Sequence, residues 1–219
     1  MKGFRFETSR VYLESNNPFY DLFFTLRSEL PPDHSLRQVH GNRIVTTAEL
    51  NSSTKPEADG LWLTPEDSGG PWALWYADCV PVALSHPSGH VLLAHCGFAG
   101  TYRHLLYTLA PLWKTQGLNL SDCQAWIGPH IRTYSRKKHG DLKTLEALKT
   151  FHPAMMRDDG EEVLFDLAGE LKAQLSELGL DERNIYDLGE DTVTLSHRWF
   201  SHRRGDTGRH ALVAQRKER

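Results

Sequence analysis

Two apolar runs, Val80–Ser85 and His90–His95, flank a Pro87-Ser88-Gly89 turn, and this pairing constrains the chain more than any other feature. Short apolar runs bounded by Gly and Pro read as buried strands. The tight turn between them makes the two an antiparallel hairpin. In such a hairpin the start of the first strand lies beside the end of the second. Cys79, which opens the first, is thereby brought next to His95, which closes the second, although they are 16 positions apart.

The surrounding sequence alternates strand and helix signals. Trp72–Tyr76 and Gln124–Gly128 are further short apolar runs, and a strand is expected to begin after Asn184. Leu105, Leu106, Leu109, Leu112 and Trp113 repeat at helical spacing, which predicts a helix over Thr101–Leu118 capped by Thr101. Leu167, Leu171, Leu175 and Leu178 predict a second helix over Asp166–Leu178, with Asp166 as N-cap and Gly179 closing it. The polar stretches Asn51–Glu57 and Pro65–Pro71 read as surface loops, and neither is long enough to separate domains. The expectation is a single α/β domain over residues 1–219, a size that buries enough surface to fold without cross-links.

Net charge of −3 and a sequence pI near 6.4 give no footprint for nucleic acid or an anionic membrane. No run approaches the roughly 18 apolar residues of a spanning helix. The N-terminus lacks the apolar core of a signal peptide, so a cytoplasmic location is expected. The three cysteines, Cys79, Cys96 and Cys123, are too few and odd in number for a disulfide framework, which favours free thiols or metal ligation.

Three segments set metal-ligating side chains beside glycine or proline: Gln38-Val39-His40-Gly41, Ala77-Asp78-Cys79-Val80-Pro81 and Ala94-His95-Cys96-Gly97. Two imidazoles and one thiolate suit Zn²⁺ with one position open, the pattern of catalytic sites. The same residues also suit a nucleophile pair in which His95 deprotonates Cys79. A third option is copper, for which His₂Cys is an equatorial set, but blue-copper sites want a weak axial Met, and Met1, Met155 and Met156 all stand far from these motifs in sequence. Asp78 can serve as a proton carrier, as a partner for a ligand histidine, or as a simple hairpin cap. Asp59 is a further candidate, although Asp59-Gly60 reads as a turn. Phe200–Arg209 packs Arg203, Arg204 and Arg209 into a short stretch suited to an anion or to a solvated turn.

Taken in order, these segments resemble the YfiH-like family, also called the laccase-domain or multicopper polyphenol oxidase family. The resemblance rests on Gln38–Gly41, Ala58-Asp59-Gly60 with Thr64, Ala77–Pro81, Ala94–Gly97, Ile127–Pro129, Phe200–Arg204 and Thr207–Arg209, and spans roughly residues 36–213. It implies mixed β-sheets flanked by helices and a zinc site on His40, Cys79 and His95. It also implies a small-molecule substrate. Members are described as purine nucleoside phosphorylases and adenosine deaminases, in older descriptions as copper phenol oxidases, and in one bacterial branch as editors of peptidoglycan precursors. Related toxins use a Cys–His pair.

The chain departs from the pattern where the family's GWRG is Gly97-Phe98-Ala99-Gly100, so its arginine is missing. A Cys-Thr pair is Asp191-Thr192, and a Tyr-Glu-Val is Tyr134-Ser135-Arg136. The metal set is intact. Cys79, His95 and Asp78 are the candidate catalytic residues. Gln38, Arg203 and Arg204 are the candidate substrate contacts, and Arg27 stands in for an arginine of the family's start.

Overall fold

The structure, a computed structural model, describes residues 2–33, 35–51 and 54–218. Met1 and the Ser52-Ser53 part of the expected Asn51–Glu57 loop lie outside the described residues. In chain order the strands are β1 (Phe4–Phe6), β2 (Arg10–Leu13), β3 (Tyr20–Thr25), β4 (Ile44–Thr46), β5 (Gly60–Leu63), β6 (Trp72–Tyr76) and β7 (Val80–Ser85). They continue as β8 (Val91–Cys96), β9 (Gln124–Ile127), β10 (Tyr134–Lys137), β11 (Met156–Asp159), β12 (Glu162–Phe165), β13 (Ile185–Asp187) and β14 (His210–Arg216). The α-helices are α1 (Phe98–Tyr102), α2 (Ala110–Thr115), α3 (Leu142–Thr150) and α4 (Leu167–Glu177).

The expected hairpin forms. β7 and β8 pair antiparallel with Val80 opposite Cys96 and Pro81 opposite His95. They occupy the middle of a six-stranded mixed sheet, β13-β9-β7-β8-β5-β4, in which the two edge strands run parallel to their neighbours. All six residues of each central strand are buried, so they read as continuous apolar runs. Alternation sorts them by face. Val80, Val82, Leu84, Leu92, Ala94 and Cys96 point into one core, and Ala83, Val91 and Leu93 into another.

The second core lies between this sheet and a five-stranded antiparallel sheet, β1-β2-β3-β14-β6, which contributes Leu22, Phe24, Leu74, Tyr76, Leu212 and Ala214. The first core is closed by helices, through Phe98 and Tyr102 of α1, Trp113 of α2, and Leu171 and Leu175 of α4. A three-stranded sheet, β10-β12-β11, adds Val163 and Phe165 to it. The fold class is therefore mixed α/β with several sheets, the six-stranded one mixed and the other two antiparallel, and few helices. Among the described residues no helix is long and apolar enough to cross a membrane.

The helix expected over Thr101–Leu118 is not continuous. α1 ends at Tyr102, His104 takes a left-handed backbone (φ 57°), a 3-10 turn covers Leu105–Leu109, and α2 follows with Pro111 in its first turn. The left-handed residue reverses the chain, yet still delivers Leu105, Leu106 and Leu109 to the core that the periodicity pointed to. Thr101 does not cap: it is buried inside α1 and its hydroxyl donates to Gly97 O at 3.0 Å. The second helix forms as expected, with Asp166 accepting from Gly169 N at 2.9 Å and Gly179 in the left-handed region after it.

Leu93→Ala removes a fully buried side chain from between the two large sheets. It is expected to destabilise the fold by about 2–5 kcal/mol. Leu142→Ala, on a side chain 77% exposed, should stay within about 0.5 kcal/mol. Urea unfolding midpoints of the two variants check both.

Candidate metal centre

The hairpin register brings two of the three candidate ligands together. One step beyond the Val80–Cys96 pair, Cys79 faces Gly97, with His95 two residues earlier on β8. His40 arrives from the separate Arg37–Gly41 loop. That loop is pinned to β6 by Gln38, whose amide donates to Trp75 O and whose carbonyl accepts from Trp75 N, each at 2.7 Å. The ligand atoms of His40, Cys79 and His95 lie within 4.8 Å of one another. In a tetrahedral zinc site with bonds of about 2.0–2.3 Å, donors stand roughly 3.3–3.6 Å apart. Small side-chain rotations therefore close the set on an ion.

Glycine makes the approach possible. A Cβ at Gly97 would sit 2.9 Å from His40 Cδ2 and 3.2 Å from Cys79 Sγ, and one at Gly100 would sit 2.7 Å from Gly41 O. The start of α1 thus packs its bare backbone against the two ligands and their loop.

The residue that organises the centre is Asp59, whose Asp-Gly pattern predicts a turn. It is fully buried and its carboxylate accepts four hydrogen bonds. Val39 N, His40 N and Gly41 N donate at 3.2, 3.1 and 2.6 Å, and His95 Nδ1 donates at 2.8 Å. One carboxylate therefore holds the loop that carries His40 and fixes the His95 ring so that Nε2 faces the other ligands. A carboxylate behind a ligand histidine is the usual outer support of a metal site. Burial pushes the Asp59 carboxyl up, but the His95 ring and the Gly41 and Val39 amides outweigh it and hold it below the usual carboxylate range.

The thiol is tuned in the same direction. Burial raises Cys79, and the imidazoles of His95 and His40 overcome that and bring it down to about 6. Burial lowers His95, and the Cys79 thiolate with the Asp59 carboxylate hold it up at about 10. Burial, and after it the negative charge of Asp59 and Cys79 for Cys96 and of Asp122 for Cys123, pushes both thiols well above the ordinary value. A thiolate ready at neutral pH beside two imidazoles fits a divalent zinc-type ion by donor chemistry as well as by distance.

The other sequence candidates divide. Asp78 is not a partner of a ligand histidine. Its carboxylate accepts from Thr192 Oγ1, Ser201 Oγ and Arg203 N at 2.6, 3.1 and 2.6 Å, tying the C-terminal loop to the residue next to Cys79. Arg204 is not an anion contact: its guanidinium donates to the carbonyls of Thr192, Val193 and Trp199 and pairs with Asp206. Arg27 lies over the Phe200 ring and also reaches Asp206, away from the cavity. Gln38 lines the cavity with its amide already engaged by β6. Asp191 caps a turn through Val193 N and does not line the cavity.

The triad opens into a cavity of about 680 Å³. Trp75, Tyr76, Phe98 and Tyr134 give it aromatic walls, and Ala99 and Arg203 also border it. Tyr134, Arg136 and Lys143 were not picked out as site residues in the sequence, where β10 reads as a polar segment without period.

Residues 24–217 match the family described as multi-copper polyphenol oxidoreductase laccase. The chain belongs to this family. The purine nucleoside phosphorylase YlmD of Geobacillus stearothermophilus is 32% identical over 198 residues, covering 83% of this chain and 71% of that protein. A purine nucleoside phosphorylase of Xylella fastidiosa is 28% identical over 198 residues, with the same coverage. Among solved structures, the hypothetical protein YfiH of Bacillus licheniformis superposes with a TM-score of 0.83 at 22% identity, over 99% of this chain and all of that one. YlmD of Geobacillus stearothermophilus gives 0.81 at 23% identity over 99% of each chain. At these identities the superpositions establish the shared fold.

Asp59→Asn replaces an acceptor with a group that must turn an NH₂ toward existing donors. Metal affinity, read by chelator competition, is expected to fall about 10–100-fold. Iodoacetamide labelling of metal-stripped protein tests the thiol. Only the thiolate reacts, so Cys79 labelling should rise with pH about a midpoint near 6, against about 8.5 for an ordinary thiol. A midpoint above 8 contradicts the imidazole pairing.

Proposed function

We propose that this family member is a zinc enzyme that cleaves purine nucleosides by phosphorolysis. The observation that carries the reading is the convergence of His40, Cys79 and His95, held by Asp59, at the floor of an aromatic-walled cavity. The relatives named purine nucleoside phosphorylase support the substrate class. His40, Cys79 and His95 would hold the ion. When bound there, such an ion would supply Lewis acidity at neutral pH. The chain's own residues do the rest. Trp75, Tyr76 and Phe98 offer ring faces and edges against which a flat purine packs. Asp59 keeps the proton on His95 Nδ1, so that ring meets the cavity only through Nε2. Cavity-lining arginines attract an anionic co-substrate. Neither Met155 nor Met156 lines this cavity: both border a separate small pocket beside Arg132 and Asp166, so neither is placed to serve a blue-copper site here.

A second reading has a specific observation behind it. The depressed Cys79 thiol beside His95 is the pairing an amide hydrolase uses as nucleophile and proton donor.

Metal analysis of the purified chain and of Cys79→Ala separates these. About one zinc per chain is expected, as in other three-ligand sites, and its loss in the variant. Release of free purine base from inosine or adenosine should depend on added phosphate and fall at least about 100-fold in Cys79→Ala, more than loss of an outer support costs. Deamination without base release would move the reading to a deaminase. A metal-free active protein that turns over an amide but no nucleoside would replace it with the nucleophile reading.

A further inference from the structure

Positive charge is concentrated in this cavity against the sign of the whole molecule. The chain carries net −3, yet Arg37, Arg136, Lys143, Arg203 and Arg209 all line the cavity. The one carboxylate there, Asp78, is consumed by three donors. Arg37 is paired with Glu57 and Arg136 with Asp141. Among the described residues Lys143, Arg203 and Arg209 have no carboxylate partner, and Arg209 turns its guanidinium onto carbonyls of its own loop. Lys143 and Arg203 are left as cations without a counter-charge.

Arg203 and Arg136 are held against aromatic rings. Arg203 lies over the Tyr134 ring at 5.5 Å, and its Nη1 reaches Ser135 Oγ at 3.4 Å. Arg136 stands 5.3 Å from the Phe98 ring and 6.0 Å from the Tyr134 ring. Arg136 spends Nε, Nη1 and Nη2 on Thr144, Tyr134 and Asp141 and contributes mainly its charge, whereas Arg203 over the Tyr134 ring keeps guanidinium N–H groups for a ligand. Like charges gathered at one wall raise the free energy of the ligand-free protein, which a bound anion relieves.

Their distance from the metal triad is also fixed. Arg203 N donates to Asp78 Oδ2, and Ile131 N, just before β10, donates to Asp78 O at 3.0 Å. Asp78 adjoins Cys79. Phe98, which packs 5.1 Å from Tyr134, follows Gly97, the glycine against which His40 and Cys79 lie. Phe98 and Tyr134 thus link the cationic wall to the backbone that carries the triad.

We propose that Arg136, Lys143 and Arg203, on the platform of Tyr134, form a binding site for a phosphate-type oxyanion. It is either free phosphate or a phosphate esterified to the nucleoside. Two unpartnered cations plus a stacked guanidinium match a doubly charged tetrahedral group better than a single carboxylate. The proposal rests on the nucleoside reading for the second of these sources only.

The test is calorimetric titration of the zinc-loaded full chain with inorganic phosphate, adenosine and adenosine monophosphate, for the wild type, Lys143→Met, Lys143→Arg and Arg203→Met. Zinc content and base release are measured on the same preparations. Lys143 is exposed, so its variants should fold. Phosphate or the monophosphate is expected to bind the wild type and to weaken about 10- to 100-fold in Lys143→Met and Arg203→Met, with zinc content unchanged and Lys143→Arg restoring most of it. Tighter binding of the monophosphate than of adenosine, competed by phosphate, assigns the esterified source. Phosphate binding with no preference for the monophosphate assigns the free ion. Anion binding that persists while base release fails retires the phosphorolysis reading and keeps the site. Phosphate affinity indifferent to both methionine variants, as for an anion held by the metal alone, or no anion binding at all, overturns the proposal.

Discussion

Everything at this centre hangs from one buried carboxylate. An ionised Asp in the interior costs several kcal/mol unless its oxygens are saturated. Asp59 meets that condition with three consecutive backbone amides and one imidazole N–H. The requirement runs both ways. The carboxylate cannot be buried without the Val39–Gly41 loop and His95, and its bonds in turn help to orient both, beside the Gln38–Trp75 bonds that pin the loop to β6. Asp59 itself is placed by the sheet: it precedes β5, its carbonyl accepts from His95 N at 2.8 Å, and its amide donates to Arg43 O at 3.0 Å. Packing of the six-stranded sheet is thereby converted into the position of two metal-ligand candidates that do not adjoin in sequence.

A second aspartate does the same for the cavity's far wall. Asp78 binds the 192–203 segment through its side chain and the start of the β10 segment through its carbonyl. Its own backbone is left-handed at φ 81°, as is that of His40 at φ 57°. Non-glycine residues tolerate this region at a cost of about 1–3 kcal/mol, and only where surrounding bonds over-determine it. Two of the three such residues among those described lie at this site. In each case the hydrogen bonds that hold the strained residue are the ones that set the geometry of the centre.

What the sequence revealed follows from the range of the forces involved. β7 and β8 were legible because burial on both faces writes an unbroken apolar run, and because Pro87-Ser88-Gly89 fixes their pairing locally. α4 was legible from its stripe and its Asp166 cap. By contrast, β2 and β3 find their sheet through β14, nearly two hundred residues away, and β10 and β11 are half-exposed with no period. Leucine spacing reports which side chains are buried but not that His104 turns left-handed between them. Asp59-Gly60 follows a sound local rule for turns that partners up to 36 residues away overrule. A usable signal existed: the four residues after Asp59 form a buried strand, an odd place for an unpartnered carboxylate. Arg204 and Arg203 are neighbours of one residue type, and only the carbonyls of Thr192, Val193 and Trp199 decide that one is structural and the other faces the cavity.

The two aspartates also explain how the site can diverge without losing its metal set. Neither carboxylate bonds Ala99, Tyr134 or Arg136, so these residues are free to change while Cys79, His40 and His95 stay in register. Charge on the far wall is therefore an independent variable. A chain of net −3 that retains Lys143 and Arg203 unpaired beside a stacked Arg136 bears a repulsion that folding alone does not call for. The fold fixes the triad, and the proposed anion site varies on the wall beside it.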